Sequence, residues 1–314
     1  MCYIGIDLGG TNIAGGIVDE NGKMLYKLSV PTDISGGYQK IVKDIFELSQ
    51  KLLEDAEMSR ESIKGIGIGT PGTVDCEKKI VIRSGNLNIE NAPIAEEFQK
   101  YWDIPVEIEN DAGAAAYGEY IANGDKSKVF IAITLGTGIG GGIVINGELF
   151  RGGSGKGTEP GHITMVRDGI NCACGRKGCW ERYASATALA YQIEEAMKNS
   201  QDTLMYKIAE KKGKIDATVA FEAADSGDAA AKEVISNYIS YLTDGLLNLI
   251  YIFRPDKIVI GGGISNRGEK LLDPVLELLC KNKFYMRDKF TKVEIAKLKN
   301  DAGIIGAAML ASKK

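Results

Sequence analysis

The chain opens on an alternating pattern: Ile4, Ile6 and Leu8 are apolar, with Gly5 and Asp7 between them, the period of a strand that buries one face. Gly9, Gly10, Thr11 and Asn12 interrupt the alternation, Ile13 to Val18 resumes it, and Asn21-Gly22 follows as a hairpin-type turn. Ile41, Ile45, Leu48 and Leu52 then recur at helical spacing and predict an amphipathic helix over about 38–57. Strands are expected at 63–69, 79–83 and 104–109, and a helix of small residues from Ala112 to Ile121.

The opening theme then returns. Val129 to Leu135 reads as a strand, Gly136 to Gly142 as a glycine turn, and Ile143 to Ile145 as a second strand ending in Asn146-Gly147. Two strand–glycine–strand units about 128 residues apart suggest a duplicated nucleus, one per domain. Residues 151–182 are rich in glycine and cysteine without a clear period, so this loop needs some source of order other than a packed face. Helical patterns over 185–210 and 230–252 come next. Lys257 to Ile260 leads as a strand into Gly261-Gly262-Gly263, and a strand near 292–298 and a helix at 302–312 close the chain. This mixed order of strands and helices predicts α/β architecture.

The length of 314 residues suits two domains better than one core. A net charge of −4, spread along the chain, gives no footprint for nucleic acid, and the basic run Lys211, Lys212, Lys214 reads as a solvated loop. No stretch approaches the ~20 apolar residues of a membrane span. Because the first strand pattern starts almost at Met1, neither a signal peptide nor an added DNA-binding extension is expected, and the location expected is cytoplasmic. Of six cysteines, Cys172, Cys174 and Cys179 fall close together, which in a reducing compartment points to a metal rather than to disulfides. Cys2, Cys76 and Cys280 are scattered and read as ordinary thiols.

Three glycine loops have phosphate chemistry. In Asp7-Leu8-Gly9-Gly10-Thr11-Asn12 the glycines let backbone N–H groups approach phosphate oxygens, Thr11 adds a hydroxyl, and Asp7 offers a carboxylate to a water on Mg²⁺. Gly136, Thr137 and Gly138 offer the same from the second half, and Gly261, Gly262 and Gly263 follow a strand where a base and ribose would lie. None matches a Walker loop or a dinucleotide fingerprint, and each alone is also compatible with a tight hairpin.

Together with Asn110-Asp111-Ala112, Glu159-x-Gly161-His162 and Cys172-x-Cys174-Gly-x-x-Gly-Cys179-x-Glu181, these loops make the chain resemble the kinase members of the repressor/open-reading-frame/kinase sugar family over essentially its whole length. The resemblance implies two RNase H-like domains of the actin/hexokinase type around a central cleft that holds ATP and a hexose, in a homodimer. It implies domain limits near 1–112, with a C-terminal helix at about 300–314, and 113–299. Gly113 and Pro160 depart from the residues common at those places.

By this resemblance Asp111 is the catalytic base, although Asn-Asp before a helix also suits an N-cap. Gly72, Asn86, Asn110, Asp111, Glu159, His162 and Glu181 are the implied sugar ligands. His162, the only histidine, and the three clustered cysteines supply one nitrogen and three sulfurs, a full tetrahedral set for structural Zn²⁺. The expected cofactors are therefore ATP, Mg²⁺ and a structural Zn²⁺ that orders 151–182. The expected activity is ATP-dependent hexose phosphorylation, with glucose the leading substrate. N-acetylmannosamine, mannose, fructose and allose are the alternatives, beside a sugar-sensing regulator that has lost turnover and an actin-like ATPase.

Overall fold

The structure, a computed structural model, describes residues 1–288 and 291–313. By packing, the chain forms two compact units: Met1–Ala132, Gly141–Thr158 and Lys297–Lys314 make the first, and Ile133–Gly140 with Glu159–Ala296 the second.

The first unit begins with strands β1 (Cys2–Leu8), β2 (Asn12–Asp19) and β3 (Met24–Pro31), then helix α1 (Gly37–Asp55). Next come β4 (Ile63–Thr70), β5 (Thr73–Asp75), β6 (Ile80–Ser84) and β7 (Ile89–Ala92), then α2 (Ile94–Gln99), β8 (Val106–Asn110) and α3 (Asp111–Ala122). The alternation at the N-terminus does what it predicts: Ile4 and Ile6 pair with Ile17 and Gly15 across an antiparallel ladder, and all three isoleucines are buried. The same holds for α1, whose Ile41, Ile45, Leu48 and Leu52 face the core. Sequence patterning passed over β3, an edge strand whose residues are half-buried and exposed in turn and which ends on Pro31. Proline is tolerated there because an edge strand has no ladder bond to lose on its outer side.

Five strands form a sheet in the order β3-β2-β1-β4-β8, and β5-β6-β7 form a small separate sheet. Farther along lie β9 (Val129–Leu135), β10 (Ile139–Ile145) and β11 (Glu148–Leu149). Here the turn is shorter than expected, because β10 already starts at Ile139 and contains Gly140, Gly141 and Gly142. The physical reason is close packing against α3. A Cβ on Gly142 would lie 2.5 Å from the Cβ of Ala116 and 3.1 Å from the Cα of Gly113.

The second unit carries α4 (Glu181–Ala184), α5 (Ala186–Asn199), α6 (Met205–Lys212), α7 (Ala217–Asp225) and α8 (Ala229–Phe253). After them come β12 (Lys257–Gly261), α9 (Glu269–Lys281), α10 (Lys283–Asp288) and β13 (Lys292–Ile295). The single helical pattern expected over 185–210 is in fact two helices. Asp228, the N-cap of α8, accepts from the Thr203 hydroxyl at 2.9 Å and the Leu204 N–H at 2.6 Å, so a tertiary bond holds the break open. The second large sheet runs β11-β10-β9-β12-β13. Counted within its own set, this is the order third, second, first, fourth, fifth seen in the first sheet, and β12 and β13 pair in parallel just as β4 and β8 do. The repeat in the glycine hairpins is thus a repeat of whole sheets. Among the described residues no helix is long and apolar enough to cross a membrane.

The last helix, Ala302–Ala311, is buried along its length. It lies backbone to backbone on the first sheet and on α3, because glycine stands wherever a side chain would intervene. A Cβ on Gly5 would fall 1.9 Å from the Ile304 carbonyl oxygen, one on Gly67 1.8 Å from that of Ala307, and one on Gly118 2.1 Å from that of Ala302. Gly306 has the reciprocal contact, with the Ala114 carbonyl oxygen 1.7 Å from its would-be Cβ. We therefore expect Gly306→Ala to cost about 3 kcal/mol of stability, at the upper end for overpacking because the obstacle is backbone. Denaturant unfolding of the first unit's transition measures it, and a change under 0.5 kcal/mol would show that α3 and the last helix can separate freely.

Candidate active site and metal centre

In the first unit, the end of β8 and the start of α3 set the central side chains. Asn110 is extended (φ −62°, ψ 143°), and its Oδ1 accepts from the N–H groups of Ala112 at 3.0 Å and Gly113 at 3.2 Å. Asn110 thus fills the N-cap role that the sequence left open between the two residues. Its Nδ2 donates to the carbonyl oxygen of Gly72 at 3.1 Å. Gly72 has φ +102°, and a Cβ there would meet the Arg83 carbonyl oxygen at 2.2 Å, so only glycine fits this bend.

With Asn110 capping, Asp111 is the first helical residue, its Oδ1 accepting from the Ala112 N–H at 2.8 Å. Burial pushes its carboxyl above the ordinary value, and hydrogen bonds from the Ala112 and Asp111 N–H groups and from Asn110 oppose the shift. Asp7, at the end of β1, is close enough for its charge to be felt. Burial first, and the Asp111 charge second, push the Asp7 carboxyl from 3.8 to about 6. Gly303, in the first turn of the last helix, leaves room for it: a Cβ there would lie 3.0 Å from the Asp7 carboxyl carbon.

The hairpin after Asp7 is closed by Gly9 N–H donating to the Asn12 carbonyl at 2.9 Å, with the Thr32 hydroxyl on the Gly9 carbonyl at 2.7 Å. Gly10, Thr11 and Asn12 are exposed at its tip. Asn86, on the exposed turn after β6, comes up against this tip, its carbonyl oxygen 3.2 Å from the place of a Gly10 Cβ. The structure therefore gathers Asp7, Gly10, Gly72, Asn86, Asn110 and Asp111 from four separate stretches of one unit.

In the second unit, Gly136, Thr137 and Gly138 form the turn between β9 and β10, closed by Gly136 N–H to the Gly138 carbonyl at 3.0 Å. Gly262, with φ +85°, packs on the end of β9, where a Cβ would meet the Leu135 carbonyl oxygen at 2.4 Å. The Gly261–Gly263 and Gly136–Gly138 loops are thereby neighbours. The Ala186 N–H at the start of α5 donates to the Gly136 carbonyl at 2.9 Å. Glu181 sits close by, its Oε2 2.6 Å from the place of a Gly138 Cβ.

The ligand atoms of His162, Cys172, Cys174 and Cys179 all lie within 4.8 Å of one another. The Cys172 Sγ–His162 Nδ1 separation is 3.6 Å and the Cys174–Cys179 Sγ separation 3.5 Å. Tetrahedral zinc with ordinary bond lengths requires edges of about 3.5–3.8 Å, and these two separations already match them, while the set as a whole, within 4.8 Å, has to draw in slightly around an ion. His162 turns Nδ1 to the sulfurs, which leaves Nε2 for another partner. Glu181 approaches the cluster from outside, with Oε1 3.0 Å from Cys172 Sγ and 3.8 Å from His162 Nδ1. Burial pushes the Cys172 thiol up to about 12 and raises Cys179, whereas the Arg176 N–H lowers Cys174. Metal binding must therefore displace protons.

Sequence reasoning missed what anchors this loop. Trp180 is fully buried, donates from Nε1 to the Tyr241 carbonyl at 2.9 Å, and fills the space left by Gly245 in α8. Its backbone N–H donates to Ile163, and that of Met165 to Gly178, which clips the two sides of the cysteine segment together. An aromatic residue directly after Cys179 was the available signal. Glu159 begins the short 3₁₀ turn Pro160–His162, and its carbonyl accepts from the His162 N–H at 3.1 Å. The packing of Gly161 on the Ile139 carbonyl, 2.2 Å from a would-be Cβ, fixes that turn against β10.

The family model for the ROK family matches residues 3–314. This chain belongs to the ROK family. It is 37% identical to a glucokinase of Thermotoga maritima over 316 residues, covering 99% of this chain and 97% of that protein. It is 34% identical to a glucokinase of Halalkalibacterium halodurans, covering 99% and 95%. Its fold superposes on the crystal structure of a ROK family glucokinase from Streptomyces griseus in complex with glucose and AMPPNP, with a TM-score of 0.82, 33% identity and full coverage of both chains. The family's two-domain actin/hexokinase-like architecture is therefore that of this protein.

Two measurements test the site. Elemental analysis of purified protein should find one zinc per chain, and Cys172→Ser should lose it and melt at lower temperature; retention of stoichiometric zinc would exclude the cysteine from the ligand set. For Asp7, the unfolded chain ionises near 3.8 and the folded chain near 6, so the folded state holds the extra proton between these values. The associated stability is complete below pH 3.8 and is lost as pH rises through 6. Asp7→Asn should accordingly raise stability of the ligand-free protein by up to about 3 kcal/mol at pH 7.5, with the gain vanishing towards pH 4, as read by thermal melts across pH.

Proposed function

We propose that this protein is an ATP-dependent hexose kinase that transfers the γ-phosphoryl group of MgATP to a hydroxyl of glucose, giving glucose 6-phosphate. The observation that carries this reading is the half-buried pair Asp7–Asp111, at the end of β1 and the start of α3, with Asn110 capping α3 and gripping Gly72. Close sequence relationship to glucokinases along the entire chain supports the choice of sugar.

In this reading Asp111 accepts the proton of the attacking hydroxyl. Its desolvated setting, with a raised pKa, makes it a stronger base than a surface carboxylate and orients the oxygen before transfer. Gly72, Asn86, Asn110, Glu159, His162 and Glu181 supply the directional donors and acceptors for the other hydroxyls, where a missing partner leaves a polar group unpaired. Gly9 to Asn12 and Gly136 to Gly138 offer backbone N–H groups to phosphate oxygens, and Gly261 to Gly263 line the nucleotide. Magnesium bound with the nucleotide supplies neutralisation of charge on the phosphate oxygens, and Asp7 is the residue that would hold its water shell. Zinc held by His162, Cys172, Cys174 and Cys179 would have no open position and so would order the 159–182 segment, keeping Glu159, His162 and Glu181 in one arrangement. The family resemblance also implies a homodimer, which light scattering on the purified protein decides.

ADP release from MgATP, assayed with glucose, mannose, fructose, allose and N-acetylmannosamine, tests the reading, with glucose expected to give the highest kcat/KM. Silence with every sugar in zinc-replete protein would move the reading to a sugar-binding regulator. Asp111→Asn should keep glucose affinity within a few-fold while kcat falls roughly 10²- to 10⁴-fold. Undiminished turnover in that variant would remove Asp111 from the chemistry.

A further inference from the structure

Directly before Asn110 and Asp111 stands a charged residue that the mechanism above does not use. Glu109, in β8, is 2% exposed, yet it points its carboxylate at three groups. Its Oε1 accepts from the Asn110 backbone N–H at 3.0 Å and takes a contact from the Cys76 thiol at 3.5 Å. Its Oε2 accepts from Arg151 Nε at 2.6 Å. Gly113, one helical turn on, makes room: a Cβ there would lie 3.3 Å from Oε1.

A buried carboxylate is tolerated only when its charge is compensated, and Arg151 is the cation that does so. Arg151 is itself the root of a loop. Its carbonyl accepts from the Gly157 N–H at 2.9 Å, and Thr158 donates from Oγ1 to the Gly141 carbonyl at 3.3 Å, so the segment 151–158 is tied at both ends. Between the ties, Gly152, Gly155 and Gly157 all have positive φ, and the chain then runs straight into Glu159.

We propose that Arg151 is a positioning residue: through Glu109 it fixes the Asn110 peptide, hence the capped start of α3 and the direction of Asp111, and it ties that geometry to the loop that delivers Glu159. The bonds form one chain from guanidinium to carboxylate to the Asn110 N–H, and from the Asn110 amide oxygen to Ala112 and Gly113. This inference rests on the kinase reading for its effect on turnover, but the clamp itself is a property of the ligand-free first unit.

The test compares wild type, Arg151→Met, Arg151→Lys, Glu109→Gln and the double variant Arg151→Met/Glu109→Gln. Arg151→Met should lower kcat about ten- to hundredfold, as small misplacements of reacting groups do, and raise KM for glucose while leaving KM for ATP within about twofold. Arg151→Lys, which keeps the charge, should recover most of kcat. In the double variant, which buries no unpaired charge and should fold even if Arg151→Met does not, the two losses should fall well short of multiplying. Hydrogen exchange without ligands should quicken in peptides covering 106–113 and 151–158 together whenever Arg151 is replaced by Met. Unchanged kcat, equal rises in both KM values, multiplying losses, or exchange that quickens in one peptide alone would overturn the proposal. If wild type phosphorylates no sugar the kinase reading fails, and the exchange data still decide whether the clamp exists.

Discussion

The first unit depends on backbone meeting backbone. Gly5 in β1, Gly67 in β4, Gly118 in α3 and Gly306 in the last helix each occupy a point where a carbonyl lies closer than any side chain allows. Interiors are packed at near-crystalline density, so these contacts leave the last helix, α3 and the sheet no freedom to slide. One consequence is chemical. With α3 and β1 both pressed to the same helix, the acids at their ends, Asp111 and Asp7, are half-buried and near enough for one charge to be felt by the other, and burial first with the Asp111 charge second raises the Asp7 pKa.

The second unit solves a different problem. A glycine-rich segment from 159 to 182 has few side chains to bury, so it is anchored by Trp180 at one point and gathers His162 and the three cysteines, a zinc-type donor set, at another. The two anchors bracket Glu181, whose carboxylate reaches both the cluster and the turn at Gly138. The cysteine segment and the Gly136–Gly138 turn thereby share one support.

Much of this was legible in the sequence. Where one face of a strand or helix is buried, as in β1, β2 and α1, the apolar period reports it directly. The metal set was legible for a chemical reason: few residue types bind zinc, and the only histidine stands ten residues from the first of three clustered cysteines. Less legible were segments whose pattern is set from outside. The edge strand β3 and the short β5 and β7 have weak periodicity. The break between α5 and α6 depends on Asp228, more than twenty residues away. The glycines of β10 look like a turn because a strand pressed against a helix needs the same small residues.

Order along the chain was enough for the element types with strong periods, the repeated strand–glycine–strand plan, the zinc-type donor set and, through motif resemblance, the family. It took the folded chain to show which of Asn110 and Asp111 caps α3, that Glu109 is paired with Arg151, that Asp7 and Asp111 are half-buried within reach of each other's charge, and that Trp180 anchors the cysteine segment. The division has a physical cause. Local periodicity and ligand chemistry are carried by neighbouring residues, whereas burial, charge compensation and pKa arise from groups brought together across tens to hundreds of residues, which no short stretch of sequence encodes.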